Sequence, residues 1–400
     1  MLGGCFRIPM PSRFSFLVLS GLLLAAAPAV LGQTQPSPTS TETPADVPAP
    51  KPPRKARRVK VAALPIVFSQ PETGLAYGAA VLPVWRFGTD TATRSSNARL
   101  LGYYTQRKQS SLSLTYNIFT PGERWINNGE VFYFNFPYYY YGTGNDTRKA
   151  DKSDISYKVV IVTQRVLKKV RPHTFAGLSF RLTDLHHIRL DDDSTDDRTR
   201  PNLLLMRDPR ERRTTVTAGL GPTFLYDSRD NVLSTYRGSY LETSALLMGP
   251  YLGSDYRFTR LLVDARHFRP LRKTDNRTIL AAQLQMQFHS GRVPFRELAN
   301  LGGERMMRGI YEGRFRDRQA LAAQLELRQQ LFWRLGAVVF GAAGQVRDQL
   351  SQFRPGQFNV AAGAGLRVAV NRSDRLGIRI DYAVGSGQSS GLYFAFNEAF

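Results

Sequence analysis

The sequence has a single cysteine and, after its first 32 residues, no long apolar run. That cysteine, Cys5, precedes an apolar stretch near the start of the chain, so the rest of the chain can form neither a disulfide framework nor a cysteine-ligated metal site. No apolar run after Lys60 reaches the roughly 18 residues that a membrane-spanning helix needs. These absences exclude a disulfide-rich domain and a helical membrane protein.

Residues 1–32 predict an export signal. Arg7 and Arg13 precede the apolar run and small residues follow it, which is the three-part pattern of a secretory signal peptide. Residues 33–60 are rich in proline and end in a basic cluster, and this composition cannot bury enough apolar surface to fold. We therefore expect a disordered periplasmic linker there and a folded domain over residues 61–400.

Acidic residues are scarce relative to basic ones. The chain has 54 Lys and Arg against 32 Asp and Glu, which gives a formal net charge of +22. An exported chain seldom meets nucleic acid, so we expect no nucleic-acid partner. The positive excess instead indicates anionic partners, namely outer-membrane lipids and lipopolysaccharide or a small anionic solute.

What the sequence has is short segments in which apolar and polar residues alternate. Within residues 111–119, Leu112 and Leu114 alternate with Ser111 and Ser113, so one face meets an oily phase and the other meets water. A soluble β-sandwich shows the same alternation. Export, bulky Gln and Arg side chains on the polar faces, and a last segment that ends in Phe favour a transmembrane barrel.

The number of such segments sets the size of the barrel. Counting back from residue 400 gives about sixteen strands, an even number. The long connections then all lie on the outward side, as expected for an outer-membrane barrel: residues 138–153, 187–212 and 290–318. The predicted fold class is all-β, a membrane-spanning antiparallel β-barrel of about sixteen strands preceded by a disordered Pro-rich arm.

One outward connection, residues 301–317, combines many glycines with many arginines. Arginines are unfavourable against lipid, so we expect the loop to fold back into the water-filled lumen. The alternation places Glu326 and Asp381 inward, where either can pair with Arg308. A solvated surface loop is the alternative.

Several segments resemble the BamA/TamA family of outer-membrane proteins, also called bacterial surface antigens. The stretch MRGIYEGRFRD is similar to the arginine-glycine motif of that family's sixth extracellular loop. Further similar segments follow one another in the family's order: VFSQPETGLAYGAA, GLGPTFLYDSRDN, LELR, GAAGQV, RIDYAVG and GLYFAFNEAF. The resemblance implies a sixteen-stranded barrel with a weak seam between its first and last strands, in the outer membrane of a Gram-negative-type bacterium.

The resemblance also implies functional residues. The family's loop arginine inserts into the lumen and pairs with acids of nearby strands, and Arg308 with Gly309 matches it. Glu326 and Asp381 match the acids, and Tyr311 is the aromatic residue nearest to the motif. These five residues form the predicted lumen-loop site.

Three positions depart from the family's pattern. Ile310 stands where an aromatic residue usually follows the Arg-Gly pair, Ala342 stands where a strand acid is usual, and Glu398 occupies a position that is often aromatic. The aromatic residues of the predicted C-terminal sorting strand are nevertheless present: Phe394, Phe396 and Phe400.

Full-length family members carry periplasmic POTRA domains, and residues 33–60 are too short to form one, so the chain is expected to be a POTRA-less member. The predicted function is outer-membrane biogenesis by protein insertion or translocation, with periplasmic or membrane partner proteins. The alternatives are a channel or transporter barrel for a small anionic solute or lipid, and a surface protein that presents its outer loops.

No catalytic, cofactor or metal site is predicted. If the strand persists at His186 and His187, these adjacent residues point to opposite faces and cannot both join one site. The acidic run at residues 191–197 lacks the glycine and the terminal Glu of an EF-hand loop, so we expect a solvated loop tip rather than a calcium site. The aromatic run at residues 131–141 predicts an interfacial girdle.

Overall fold

The computed structural model describes residues 59–70, 74–88, 93–191, 202–272, 274–372 and 375–400. The predicted signal peptide, nearly all of the predicted linker and nearly all of the acidic run at residues 191–197 lie outside these residues. None of the helices in the described part of the chain is long and apolar enough to cross a membrane.

Within the described residues, sixteen strands form one antiparallel sheet, and they follow one another in chain order except that β11 pairs with β14. Their bounds are β1 Lys60–Gln70, β2 Gly74–Trp85, β3 Ser96–Thr105, β4 Ser110–Phe119, β5 Trp125–Tyr140, β6 Ser153–Arg171, β7 Thr174–Asp191, β8 Thr215–Asp227, β9 Gly238–Met248, β10 Phe258–Pro270, β11 Thr278–Gly291, β14 Gln319–Phe332, β15 Leu335–Arg347, β16 Asn359–Asn371, β17 Leu376–Gly385 and β18 Ser389–Phe396. A separate two-stranded sheet consists of β12 Ala299–Leu301 and β13 Phe315–Asp317.

Short 3-10 helices lie in the connections, at Pro121–Glu123, Lys149–Asp151, Leu203–Met206, Pro209–Arg212, Pro250–Leu252 and Leu350–Gln352. The strands alternate in burial as their sequences predict. In β14, Leu325 and Leu327 are exposed on the outer face, whereas Gln324, Glu326 and Arg328 are buried on the inner face. The predicted all-β barrel of about sixteen strands is therefore confirmed.

The length of the strands varies around the sheet. The strands β5, β6 and β7 have 16, 19 and 18 residues and pair with both of their neighbours, whereas β18 has 8 residues and, among the described strands, pairs only with β17. Because each paired residue adds backbone hydrogen bonds, β5–β7 form the most extensively bonded part of the wall.

The two ends of the sheet, β1 and β18, meet at a seam. Their Cα atoms approach within 8 Å, but no hydrogen-bonded ladder joins them within the described residues. Apolar side chains occupy the junction instead, since Leu64 and Ile66 of β1 and Phe396 of β18 pack on one cluster that includes Leu82. The seam is thus closed by side-chain packing.

The last strand is shorter than expected. The expectation that Phe400 belongs to it is wrong, because β18 ends at Phe396 and Asn397 adopts a left-handed backbone with φ of 62°. Beyond this turn, Phe400 is buried against Phe268 of β10. A period-two pattern alone does not reveal such a reversal, because it says nothing about the handedness of the backbone at Asn397.

Candidate functional site

The connection between β11 and β14, residues 292–318, lies inside the barrel, and we call it the lumen loop. Its residues Leu301, Met307 and Ile310 are fully buried. They pack with inward side chains of the wall, among them Val346 of β15. Ala342, which stands where the family pattern usually has a strand acid, packs against the same apolar cluster. The loop therefore fills part of the lumen, as its basic composition predicts.

Arg308 is the charged centre of the lumen loop. Its Nη1 donates a hydrogen bond to Asp381 Oδ2 at 2.6 Å, and its Nη2 donates to Glu326. Its guanidinium carbon also lies 3.6 Å from the centroid of the Phe340 ring, which is a cation–π contact. All three members of the ion pair network are completely buried, so the structure brings together the arginine and both acids that the sequence singles out.

Three further arginines surround the two acids. Arg328 donates from Nε to Glu326 at 2.8 Å, Arg367 donates to Asp381 at 2.5 Å, and Arg379 donates to the same carboxylate at 2.8 Å. The alternation of β14 and β17 predicts that Arg328 and Arg379 face inward, but not which acid each contacts. Charges this deep are tolerated only when they are paired, and loss of Arg308 would remove one partner from each of the two acids.

Gly309 attaches the lumen loop to the last two strands. Its N–H donates to Tyr393 Oη in β18 at 3.0 Å. Its φ is 100°, and a Cβ there would lie 2.8 Å from the backbone of Val384 in β17. Any other residue would be strained and would push the loop away from the strand. Tyr393 is a site residue that the sequence comparison did not single out.

Tyr311 packs against tyrosines of β5 and the residue that follows it. Its ring centroid lies 5.6 Å from that of Tyr138, 5.7 Å from that of Tyr139 and 5.8 Å from that of Tyr141. Tyr140 and Tyr141 are buried, and Tyr138 donates to the main-chain oxygen of Glu312 in the lumen loop at 2.5 Å. The prediction of an interfacial girdle is therefore wrong for this end of the run, where the rings hold the loop.

A second polar attachment ties the lumen loop to the opposite side of the barrel. Glu297 accepts hydrogen bonds from Nε and Nη2 of Arg181 at 3.1 Å each, and from Thr183 Oγ1 at 2.6 Å, both residues of β7. Burial by itself would raise the pKa of Glu297, but the charges of Arg181 and Arg260 and the hydrogen bonds hold it at about 2. No sequence signal distinguished Glu297 from other loop acids.

The space beside the loop is a lumen cavity of about 770 Å³. It borders both strands of the seam, including Leu64 of β1 and Phe394 of β18. Arg99, Arg260 and Arg296 also line it, and within the described residues the Nε atom of each is buried without a hydrogen-bond partner. The cavity therefore combines an apolar side at the seam with unsatisfied cationic donors elsewhere.

The predicted aromatic residues of the C-terminal strand separate in the structure. Phe394 lines the lumen cavity, Phe396 packs in the apolar cluster of the seam, and Phe400 lies in a pocket between other strands. They do not form one surface. The lumen-loop residues do converge, around Arg308.

Comparison with known proteins agrees with this architecture. A model of the Omp85 superfamily domain matches residues 92–400. No curated protein sequence matches the chain.

Two solved structures show the same fold. BamA from Haemophilus ducreyi lacking POTRA domains 1–3 aligns with a TM-score of 0.53 and 16% sequence identity, over 85% of this chain and 70% of that one. CdiB from Acinetobacter baumannii aligns with a TM-score of 0.53 and 11% identity, over 86% of this chain and 60% of that one. The chain thus spans less than two thirds of CdiB.

Proposed function

Because the chain belongs to the Omp85 superfamily, an outer-membrane barrel family of Gram-negative bacteria, we propose that it inserts or translocates polypeptides at the outer membrane. The resemblance to the BamA/TamA family implies protein insertion or translocation that involves lipids and partner proteins. We extend this role to the chain, with outer-membrane lipids, lipopolysaccharide and periplasmic or membrane proteins as its partners. Catalysis is not part of the proposal.

The observation that supports the proposal is the seam. Within the described residues no backbone ladder joins β1 to β18, so opening the seam breaks side-chain contacts and spares the rest of the sheet. Opening exposes two strand edges whose N–H and C=O groups can pair with an incoming strand. The lumen cavity borders both edges, which gives a client segment a route to them.

The lumen loop acts in this proposal as an internal plug. Arg308 and Gly309 bind residues of β14, β17 and β18, so the loop is attached to the strands that must move when the seam opens. Displacing the loop would enlarge the lumen and loosen the seam together. Tyr311 keeps the loop in contact with β5 while this happens.

The test is to lock the seam. Ile66→Cys and Phe396→Cys, introduced in a Cys5→Ser background, place thiols on the two strands whose side chains share the seam cluster. A short bis-maleimide crosslinker then joins them, and folding of a barrel client is measured in proteoliposomes. We expect the crosslink to slow client folding by about tenfold or more, because the seam can no longer open.

The matched control crosslinks two neighbouring strands that backbone hydrogen bonds already join. Leu262→Cys and Gln287→Cys are directly opposite in the β10–β11 register, and the same crosslinker should change client folding by less than about twofold. Unchanged client folding after complete crosslinking of the seam would refute lateral opening as the mechanism.

A second function, an anion channel or transporter, is favoured by the cavity arginines. Arg99, Arg260 and Arg296 present buried Nε donors without partners in the described structure. Planar-bilayer recordings separate the two functions. Steady anion-selective currents through the wild type would support the channel, whereas a closed wild type that conducts only as Arg308→Ala would support a plugged assembly barrel.

A further inference from the structure

The four residues after β18, which we call the tail segment (residues 397–400), leave the wall and enter the lumen. The Asn397 N–H donates to the Gly377 carbonyl at 2.8 Å, and Asn397 Oδ1 accepts from the Gly377 N–H at 3.3 Å. This turn ends the ladder with β17 and redirects the chain. Ala399 and Phe400 are consequently buried.

Phe400 occupies an apolar pocket formed by strands that are not neighbours of β18. Its ring centroid lies 5.9 Å from that of Phe268 in β10, and Ala281 of β11 belongs to the same buried cluster. The guanidinium carbon of Arg328 in β14 lies 5.1 Å from the Phe400 ring centroid, and Arg328 Nη2 donates to the main-chain oxygen of Phe400 at 3.2 Å. The pocket thus contacts both the ring and the backbone.

Glu398 supplies the second contact of the tail segment. Its Oε2 accepts a hydrogen bond from Arg367 Nε of β16 at 2.7 Å and lies 3.7 Å from Arg328 Nε. The barrel therefore binds an acidic residue and an aromatic residue two positions later. Two guanidinium groups contact the acidic side chain, and the apolar pocket contacts the aromatic ring, which also makes a cation–π contact.

The side chains of the pocket have unused binding capacity. Within the described residues, Nη1 of Arg328 and Nη2 of Arg367 are buried and make no hydrogen bond. Buried donors without partners are unfavourable, and an occupant with more acceptors would satisfy them better than the tail segment does. The tail is also attached to the short strand β18, so movement of the seam can withdraw it.

We propose that this pocket is a binding site for a peptide segment with an acidic residue two positions before an aromatic residue, and that the tail segment occupies it in cis. The inference rests on the proposed function, because it makes the ligand a segment of the client chain. Withdrawal of the tail segment vacates the pocket, and the client segment takes its place there.

The test uses a fluorescent peptide of sequence AFNEAF, the sequence of residues 395–400, and measures its binding by anisotropy to the detergent-solubilised barrel. The tail segment competes from within the chain at a high effective concentration, so the wild type should bind weakly. A vacated variant, Glu398→Ala with Phe400→Ala, should bind the peptide about tenfold or more tightly. Equal affinity of the two proteins, or no binding to the vacated variant, would overturn the proposal.

Two controls define the site. A peptide of sequence AFNQAA lacks both recognised groups and should not bind the vacated variant. Adding Ala281→Trp to that variant fills the apolar slot and should abolish binding of AFNEAF, while heat-modifiable migration in gels shows that the barrel is folded. Binding of both peptides, or binding that survives the Trp substitution, would place the peptide elsewhere and refute the assignment.

The result is separable from the test of the proposed function. If the seam crosslink blocks client folding but the vacated variant does not bind AFNEAF, insertion stands and the pocket assignment fails. If the peptide binds while the seam crosslink leaves client folding unchanged, the pocket is a peptide site and lateral insertion fails.

Discussion

The lumen loop is held at two places that differ in what lies behind them. The wall anchor joins Glu297 to Arg181 and Thr183 of β7, a strand that pairs along both edges with its neighbours. The seam anchor joins Arg308 and Gly309 to β14, β17 and β18, and in the described part of the chain β18 pairs only with β17. Movement of the seam must therefore disturb the second anchor first, while the first keeps the loop attached to the barrel.

The two anchors also differ chemically. The wall anchor is one carboxylate with three donor contacts, whereas the seam anchor is a buried network in which Arg308 shares two acids with other arginines. Each of the two acids therefore loses one of several partners if Arg308 leaves, whereas Glu297 loses its salt bridge if Arg181 leaves. We call the Glu297 contacts with β7 the hinge, and the Arg308 and Gly309 contacts with β14, β17 and β18 the latch.

The largest effect should come from breaking the latch with Arg308→Ala. Removing the guanidinium leaves Glu326 and Asp381 buried beside fewer cations, and breaking a buried ion pair costs about 3–5 kcal/mol. We expect the lumen loop to become accessible to protease from the outer face, as measured by mass spectrometry of the released peptides. The thermal unfolding midpoint should fall as well.

Arg305→Ala is the matched control, since this arginine is in the same loop and its side chain is 55% exposed. Its nearest acids, Glu130 and Glu304, are 3.8 and 4.0 Å away, so its loss should cost less than about 1 kcal/mol. Equal protease sensitivity of the two variants would show that Arg308 is no latch.

Breaking the hinge should have the next largest effect, and it should depend on pH. The pKa of Glu297 is held at about 2, against an ordinary value of 4.5, so its stabilising contribution is complete above about pH 4.5 and is lost as pH falls towards 2. That contribution is at most about 3 kcal/mol. The difference in thermal midpoint between the wild type and Glu297→Gln should be largest at pH 6 and should shrink at pH 3.

A difference that stays constant between pH 6 and pH 3 would mean that the Glu297 carboxylate contributes packing rather than charge. Other acids also titrate in this range. Comparing the two proteins at each pH removes their contribution, because both chains share them.

Tyr393→Phe should loosen the latch more mildly than Arg308→Ala. The change removes the hydroxyl that accepts the Gly309 N–H, and a buried N–H without a partner costs about 1–3 kcal/mol. Hydrogen exchange should show faster exchange at residues 308–311 and little change at Glu297. Uniform acceleration across the whole lumen loop would contradict the division into two separate anchors.

Sequence patterns can predict the latch better than the hinge. Period-two alternation places Glu326, Arg328 and Asp381 on inner faces, because an apolar outer face fixes the side of every second residue. It does not fix which arginine meets which acid, since β14 and β17 are separated by two strands and their contacts depend on the tilt of the barrel.

In aromatic runs and in loops, the alternation does not show which side chains face the lumen. In residues 131–141 aromatic side chains occupy both strand faces, so alternation cannot tell that Tyr138 and Tyr140 face the loop. Glu297 lies in an irregular segment whose path depends on contacts with β7. The reversal at Asn397 depends on a left-handed residue that resembles any other polar residue in the pattern.

The smallest effect should come from the seam itself, where Phe396→Ala removes a ring that packs in the apolar cluster shared by Leu64 and Ile66. The ring is partly exposed, so the loss should be about 1–2 kcal/mol. Amides of β1 and β18 should exchange hydrogen up to about tenfold faster, and those of β10 and β11 should not change. Val339→Ala removes an exposed outer-face side chain of β15 and should alter neither pair. If Phe396→Ala leaves exchange at β1 unchanged, side-chain packing does not close the seam, and the latch at Arg308 must hold it from within.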